Sequence, residues 1–341
     1  MISFKHAFHI LLVALYGLIL PFSPIDQASA AQNHPTLWSV DWNHDGTMFA
    51  VGGEQTLQVI DAETLKQTSL LGTPDDWNDH YFAATSVTWH PTNLDLLAVS
   101  TQGAGANHNG IFNVKTSSRT SFATSMGRGI AWNPSGDQLA TSNPDDGHLR
   151  IWKSDGSLLS DIPRFKEAKG LTGVSWHPSS KSIVSIGAFI TLHQTDGTVT
   201  QQMTHRPEAE KRLCLLLSVA WHPSGAFFVT GDYGNEIDDP VLQFWTEEGQ
   251  LIKTIPFTGG DEIRNVAWSR DGERLATASD QLRIWDKNGT LLHEADAPDL
   301  LWGVDWHPKG DRILTSSIDG RITLWNSKAK LIKEIKRLTF N

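Results

Sequence analysis

A three-residue unit, an aliphatic residue two places before a tryptophan, recurs seven times along this 341-residue chain. The copies are Val40-Asp41-Trp42, Val87-Thr88-Trp89, Ile130-Ala131-Trp132, Val174-Ser175-Trp176, Val219-Ala220-Trp221, Val266-Ala267-Trp268 and Val304-Asp305-Trp306, at intervals of 38 to 47 residues. A period in that range marks an array of small units, each unable to bury its own apolar face, stacked on its neighbours. Turn chemistry follows the tryptophan, as in Asn133-Pro134-Ser135-Gly136 and His222-Pro223-Ser224-Gly225. Proline there presets a negative φ, and glycine supplies the position where φ must be positive. A second apolar strand comes next, such as Gln138-Leu139-Ala140-Thr141. A third alternates with period two, as in Leu149-Arg150-Ile151-Trp152 and Leu282-Arg283-Ile284-Trp285. A tight turn (Asp155-Gly156, Asn288-Gly289) leads to a fourth strand, as at 251–255 and 331–335. Four short strands in about 44 residues make a propeller blade. The sequence therefore predicts an all-β fold, a seven-bladed β-propeller with four antiparallel strands per blade. It fills residues 31–341 and leaves nothing for a second domain.

These units resemble the WD-repeat family over residues 36–336. The third strand ends in Trp152-Lys153, Trp245-Thr246, Trp285-Asp286 and Trp325-Asn326, so one copy is a literal Trp-Asp and three units lack the tryptophan. The Gly-His pair of the family is absent. Its His–Ser/Thr–Asp–Trp hydrogen-bond network is therefore not carried over whole, although Asp319 stands at the family's turn-aspartate position. Few residues precede the first inner strand, whereas 331–335 supplies a full outer strand. Each blade is accordingly expected to be one continuous segment, with the ring closed by packing of the first blade on the last.

The N-terminus reads as an export signal. Lys5 is followed by the apolar run Ala7 to Leu20, by Pro21 and Pro24, and by Ala28-Ser29-Ala30, the small-x-small pattern of a cleavage site. The run is shorter than the roughly 20 residues needed to span a bilayer. Residues 1–30 are expected to be a signal peptide, giving an exported protein, periplasmic or secreted, with no membrane span after cleavage. A single cysteine, Cys214, excludes an intramolecular disulfide and sits in an apolar run. The formal net charge of −10 disfavours nucleic acid as a partner.

In this family, one face of the disc carries the loops between second and third strands and those between blades. The longest and least regular loops, 72–86, 100–110, 203–217 and 231–240, fall on that top face, where function is expected. The residue two before each aliphatic anchor opens the innermost strand at the top rim: Trp38, Thr85, Arg128, Thr172, Leu217, Arg264 and Trp302. Two tryptophans and two arginines there have the composition of an interface hot spot. Alternatively, Trp38 and Trp302 simply plug the seam between the first and last blades. The expected partner-binding residues are Trp38, Trp302, Arg128 and Arg264, with Trp77 and Tyr233 from the acidic loops. The partner class is a protein or peptide, one with basic character being favoured by the acidic top loops, and the protein is expected to be a monomer.

Asp232, Glu236, Asp238 and Asp239 form a weak calcium candidate, since that ion takes six to eight oxygens. A solvated acidic loop is the plainer reading. His90, His177, His222 and His307 each precede a proline at the same point of the repeat, one per blade, which suits turn capping better than a shared metal. Asp41 and Asp305 are expected to be hydrogen-bonded structural carboxyls. No nucleophile motif, cysteine pair or phosphate loop is present. No catalytic residue and no cofactor are therefore assigned, and the chain reads as a binding scaffold, not an enzyme. The alternatives are an exported propeller enzyme of lactonase, hydrolase or lyase type, and a calcium-dependent binding module. If the export reading holds, N-terminal sequencing of the exported protein begins at Ala31; a mature chain still carrying Lys5 refutes it.

Overall fold

The structure, a computed structural model, describes residues 34–72, 82–103, 109–122, 127–164, 170–206, 215–234, 238–258 and 260–338. The signal segment, the residues around Trp77, Glu236 and Cys214 lie outside them. Seven four-stranded sheets are present, each built from four strands consecutive in sequence and paired only with one another. They span residues 37–72, 82–121, 129–162, 173–203, 216–256, 265–296 and 301–337, hereafter blades 1 to 7. All pairings are antiparallel, and among the described residues no blade borrows a strand from another. The expected seven-bladed propeller with continuous blades is what forms.

The repeated residues build the spaces between blades. Aliphatic anchors and tryptophans of one inner strand pack on the second and third strands of the preceding blade. Ala276, Leu282 and Ile284 of blade 6, for example, lie in one cluster with Val304 and Trp306 of blade 7. Six of the seven anchor tryptophans are buried, and Trp268 is half-buried. Among the described residues only isolated backbone contacts cross a blade boundary, such as the Glu54–Ala83 bridge and the bond from Leu301 N to Ser279 O, so side chains do most of the bridging. Four indoles do so, donating to the backbone carbonyl of the preceding blade: Trp89 to Asp41 at 3.1 Å, Trp132 to Thr88 at 3.3 Å, Trp176 to Ala131 at 3.0 Å and Trp306 to Ala267 at 3.1 Å.

The four His-Pro histidines cap their own turns, as expected, and also clasp the next blade. The Nδ1 atoms of His90, His177, His222 and His307 accept backbone N–H groups two residues on, at 3.0–3.2 Å. An accepting Nδ1 places the proton on Nε2. Each Nε2 then meets the turn-glycine carbonyl of the following blade: Gly136 (2.9 Å), Gly225 (3.1 Å), Gly272 (2.9 Å) and Gly46 (3.3 Å). The last of these runs from blade 7 to blade 1 and helps close the ring. Glycine is required at these turns twice over. At Gly46, φ is +75°, and a Cβ would sit 2.3 Å from the His307 ring. Blade 6 carries Ser269 at the histidine position, and there Arg274 Nη2 donates to Gly310 O at 3.2 Å instead.

On the third strands, half of the family network survives. The indoles of Trp152, Trp245, Trp285 and Trp325 donate to Thr141, Thr230, Thr277 and Thr315 at 2.8–3.1 Å. In blade 4, His193 takes the tryptophan's place and bonds Ser185 Oγ at 2.8 Å. Asp319 accepts from Ser317 and Arg321.

Burial lowers the pKa of His90, His177 and His307 below the ordinary imidazole value. The neutral form is the one that can cap and clasp. A depressed histidine pKa means the unfolded chain binds more protons below about pH 6.5, so stability is full above that value and is lost as pH falls through it. Blades 1 and 3 carry asparagine at this position, where Asn43 and Asn133 cap the turn without titrating. Replacing His90, His177 and His307 by asparagine should therefore flatten the fall of melting temperature between pH 6.5 and 5. Parallel pH profiles for wild type and triple variant would refute this role.

Candidate functional site

The inner strands surround a channel, and their first residues are re-aimed by a shared irregularity. In blades 1, 2, 5 and 7 the pairing of first and second strands skips one residue, between Leu37 and Ser39, Ala84 and Ser86, Leu216 and Ser218, and Leu301 and Gly303. The residues left out are Trp38, Thr85, Leu217 and Trp302, four of the seven rim positions. A bulge leaves one residue unpaired and turns its side chain away from the regular pleat. In blades 3, 4 and 6, Arg128, Thr172 and Arg264 stand immediately before the strand. All seven rim residues line one cavity of about 260 Å³.

Within that rim the structure brings the expected binding residues together. The Trp38 and Trp302 rings meet edge to face, centroids 4.5 Å apart at 84°. The Arg264 guanidinium lies 4.1 Å over the Trp302 ring and 5.8 Å from that of Tyr233. Arg128 lies 5.6 Å over Trp38. A continuous cation–aromatic row thus runs from Arg128 through Trp38, Trp302 and Arg264 to Tyr233. Trp302 is 6% exposed and Trp38 is half-buried, so the pair fills the seam between blades 7 and 1 while also walling the cavity. Trp77 lies outside the described residues. Glu262, which sequence reasoning missed, pairs with Arg264, accepting from its Nε at 2.8 Å. Its position two residues before the rim arginine was the available signal. Burial and then Glu262 push the Tyr233 phenol up to about 12, so it stays protonated and can donate. The two rim threonines are occupied in stitching blades: Thr85 donates to Gly127 O at 3.0 Å and Thr172 to Leu216 O at 2.5 Å.

The acidic loop folds differently from a solvated cluster. Asp232 is fully buried, with Arg206 Nε at 2.6 Å and Nη2 at 3.1 Å from its oxygens. The backbone N–H of Val241 adds a third bond at 2.7 Å. Arg206 also donates to Asp239 O at 2.6 Å, tying loop 203–217 to loop 231–240. His205 lies 3.6 Å from the same carboxylate, and burial depresses its pKa to about 4. Asp238 is half-buried, Asp239 is exposed, and Glu236 lies outside the described residues. Among the described residues no group of three or more acidic, histidine or cysteine side chains could hold a metal.

Deeper in the channel, Asp41 and Asp305 line the same cavity as the rim. Each accepts a backbone N–H from the next blade: Trp89 N to Asp41 at 2.5 Å, and Trp42 N to Asp305 at 2.8 Å. They are hydrogen-bonded structural carboxyls, as expected, and they lie beside each other across the seam between blades 7 and 1.

The family model of the WD domain, G-beta repeat, matches residues 29–61, 116–153, 249–286 and 289–326. The chain is 23% identical to THO complex subunit 3 of Arabidopsis thaliana over 308 residues, covering 85% of this chain and 89% of that protein. It is 24% identical to protein transport protein sec13 of Aspergillus clavatus over 247 residues, 59% of this chain and 80% of the relative. A shorter likeness, 24% over 212 residues, is to the intraflagellar transport protein 80 homolog of Mus musculus, covering 60% of this chain and 26% of that protein.

Removing the buried carboxylate strands the arginine it neutralises, which costs about 3–5 kcal/mol for a buried pair. Asp232→Ala should lower stability by that order in chemical denaturation. Millimolar calcium should leave the wild-type midpoint unmoved; a calcium-dependent rise would show instead that the loop gathers around a cation.

Proposed function

We propose that this chain, a WD-repeat β-propeller, is a protein- or peptide-binding scaffold that takes its partner at the top mouth of the channel. The observation carrying this reading is the row Arg128, Trp38, Trp302, Arg264 and Tyr233, each against the next, of which the first four line one cavity. Rigid aromatic and arginine side chains held by bulges and by their neighbours lose little conformational freedom when a partner docks, which favours affinity. Exposed Asp239 and Asp299 give the surrounding loops negative charge, and Glu294 and Asp296 add to it from the outer strand of blade 6. Those charges favour a partner with basic residues around an apolar anchor, steering its approach and weakening with salt. The N-terminal signal pattern supports a partner met outside the cytoplasm.

The test uses the chain lacking residues 1–30 as bait. Once a partner is captured, Trp302→Ala combined with Arg264→Ala should weaken its binding at least about 100-fold, in line with two hot-spot truncations. Arg128→Glu, at a half-buried position, should weaken it without the packing cost of losing Trp302. Changes in the bottom turns, Asp155→Ala and Lys287→Ala, should leave binding intact. Binding lost with the bottom variants and kept with the mouth variants would move the site to the other face.

A further inference from the structure

The residue between the aliphatic anchor and the tryptophan is Thr88, Ala131, Ser175, Ala220 and Ala267 in blades 2 to 6. Only in blades 1 and 7, the two that meet without a covalent link, is it an aspartate. We propose that the Asp41–Asp305 pair is a pH-sensitive latch, which holds the ring closed through a shared proton and loosens the seam as that proton is lost.

The geometry carries this. Both carboxyls line one cavity, and Asp305 Oδ2 sits 2.8 Å from the N–H of Trp42, the residue next to Asp41, so the two lie beside each other across the seam. Two carboxylates cannot share a hydrogen bond unless one keeps its proton, because an ionised carboxylate only accepts. Asp305 reaches from blade 7 to the Trp42 N–H of blade 1, and Asp41 reaches from blade 1 to the Trp89 N–H of blade 2. The pair therefore staples three successive blades, and it does so across the gap between the chain's first and last units. Full ionisation releases the proton to solvent and leaves two like charges side by side in the half-buried wall of the channel, where they repel.

The surroundings offer little compensation. The charged or titratable groups on the same two cavities are Arg128 and Arg264 at the top and His44 and His90 at the bottom. Arg264 is committed to Glu262, and Arg128 lies over Trp38. On the strands packed against the pair, Arg274 lies over Trp306 and bonds Gly310 O, and Arg312 lies 5.8 Å over the Trp42 ring. Neither histidine nor arginine bonds the pair. Burial raises both carboxyls, Asp305 to about 6 and Asp41 well above its ordinary value, with the charge of Asp305 adding to the burial there. Both folded values exceed the ordinary carboxylate value, so the unfolded chain binds fewer protons. The latch's contribution is whole below about pH 4 and declines as pH rises through 6 and beyond, opposite in sign to the histidine clasps. Trp38 and Trp302 lie three residues before Asp41 and Asp305 on the same strands, so a loosened seam also separates the two mouth aromatics; this consequence for binding rests on the function proposed above.

The decisive experiment needs no partner. The unfolding constants of wild type and of Asp41→Asn/Asp305→Asn are compared from pH 4.5 to 8.5. Asparagine keeps an acceptor for each backbone N–H and an amide donor for the cross-pair bond. The wild-type constant should rise relative to the variant, by up to about tenfold per pH unit for each group titrating. Parallel curves overturn the latch. Should the double variant not fold, wild type alone still decides. The infrared band of a protonated carboxyl should persist at pH 7. Hydrogen-exchange protection at Trp42 N should then fall on further alkalisation while that of Trp221 N, held by Ser175 Oγ at 3.3 Å, follows only its intrinsic rate. No such band, or equal loss at both amides, overturns it equally.

Discussion

No backbone hydrogen-bond ladder crosses from one blade to the next, and everything else in this molecule follows from that gap. Within a blade the sheet satisfies its own polar backbone. Between blades the backbone meets only at scattered points near strand ends, as where Leu216 N donates to Gly187 O and Leu301 N to Ser279 O, and side chains carry the rest. The repeat is best understood as equipment for this task. Its tryptophan spans the gap near the channel, its histidine near the bottom turn, and small hydroxyls span it near the top rim, as Thr85 and Ser218 do. Each inter-blade boundary has at least one such bridge. The devices differ among boundaries because many side chains can donate to one carbonyl, which is why Arg274 stands in for a histidine between blades 6 and 7.

That tolerance explains how the fold can be plain in the sequence while the family signature is worn. Seven anchors at a nearly constant period need no single conserved hydrogen bond. Blades 1, 2 and 4 have Ile60, Phe112 and His193 where the others carry a third-strand tryptophan, and blade 5 carries the long excursion 232–240 before its third strand. The family model passes over blades 2, 4 and 5 and matches blade 1 without that tryptophan. His193 keeps the bond to Ser185 and gives up only the indole's area.

The site was legible in parts and for physical reasons. Rim positions could be counted from the anchor because a strand's register is rigid. The closeness of Trp38 and Trp302 followed from ring closure alone. The bulges that turn them were not readable, since skipping a residue leaves no mark in an alternating pattern. Tyr233 was placed in an acidic loop, and its approach to Arg264 depends on how that loop folds over Arg206. Asp232 shows the limit most clearly. Four carboxylates close in sequence suggest a common site, but a buried charge is settled by whichever cation lies nearest in space, and Arg206 stands 26 residues away along the chain. Asp41 and Asp305 were recognised as departures from small residues, whereas their contact with each other joins positions 264 residues apart.

That long separation has a consequence for how the molecule comes into being. Leu37, Val40, Trp42 and Phe49 of blade 1 bury their faces against Leu314, Ile322 and Leu324 of blade 7. A chain made from its N-terminus exposes that first apolar face until almost its whole length has emerged. Contacts so distant in sequence form late, because a large loop must close before they yield anything. Until then the molecule is an open arc with a sticky end, the kind of intermediate that pairs with other copies or needs shielding. The seam is the last surface to be covered, and the time the nascent chain spends as an arc sets its exposure to misassembly.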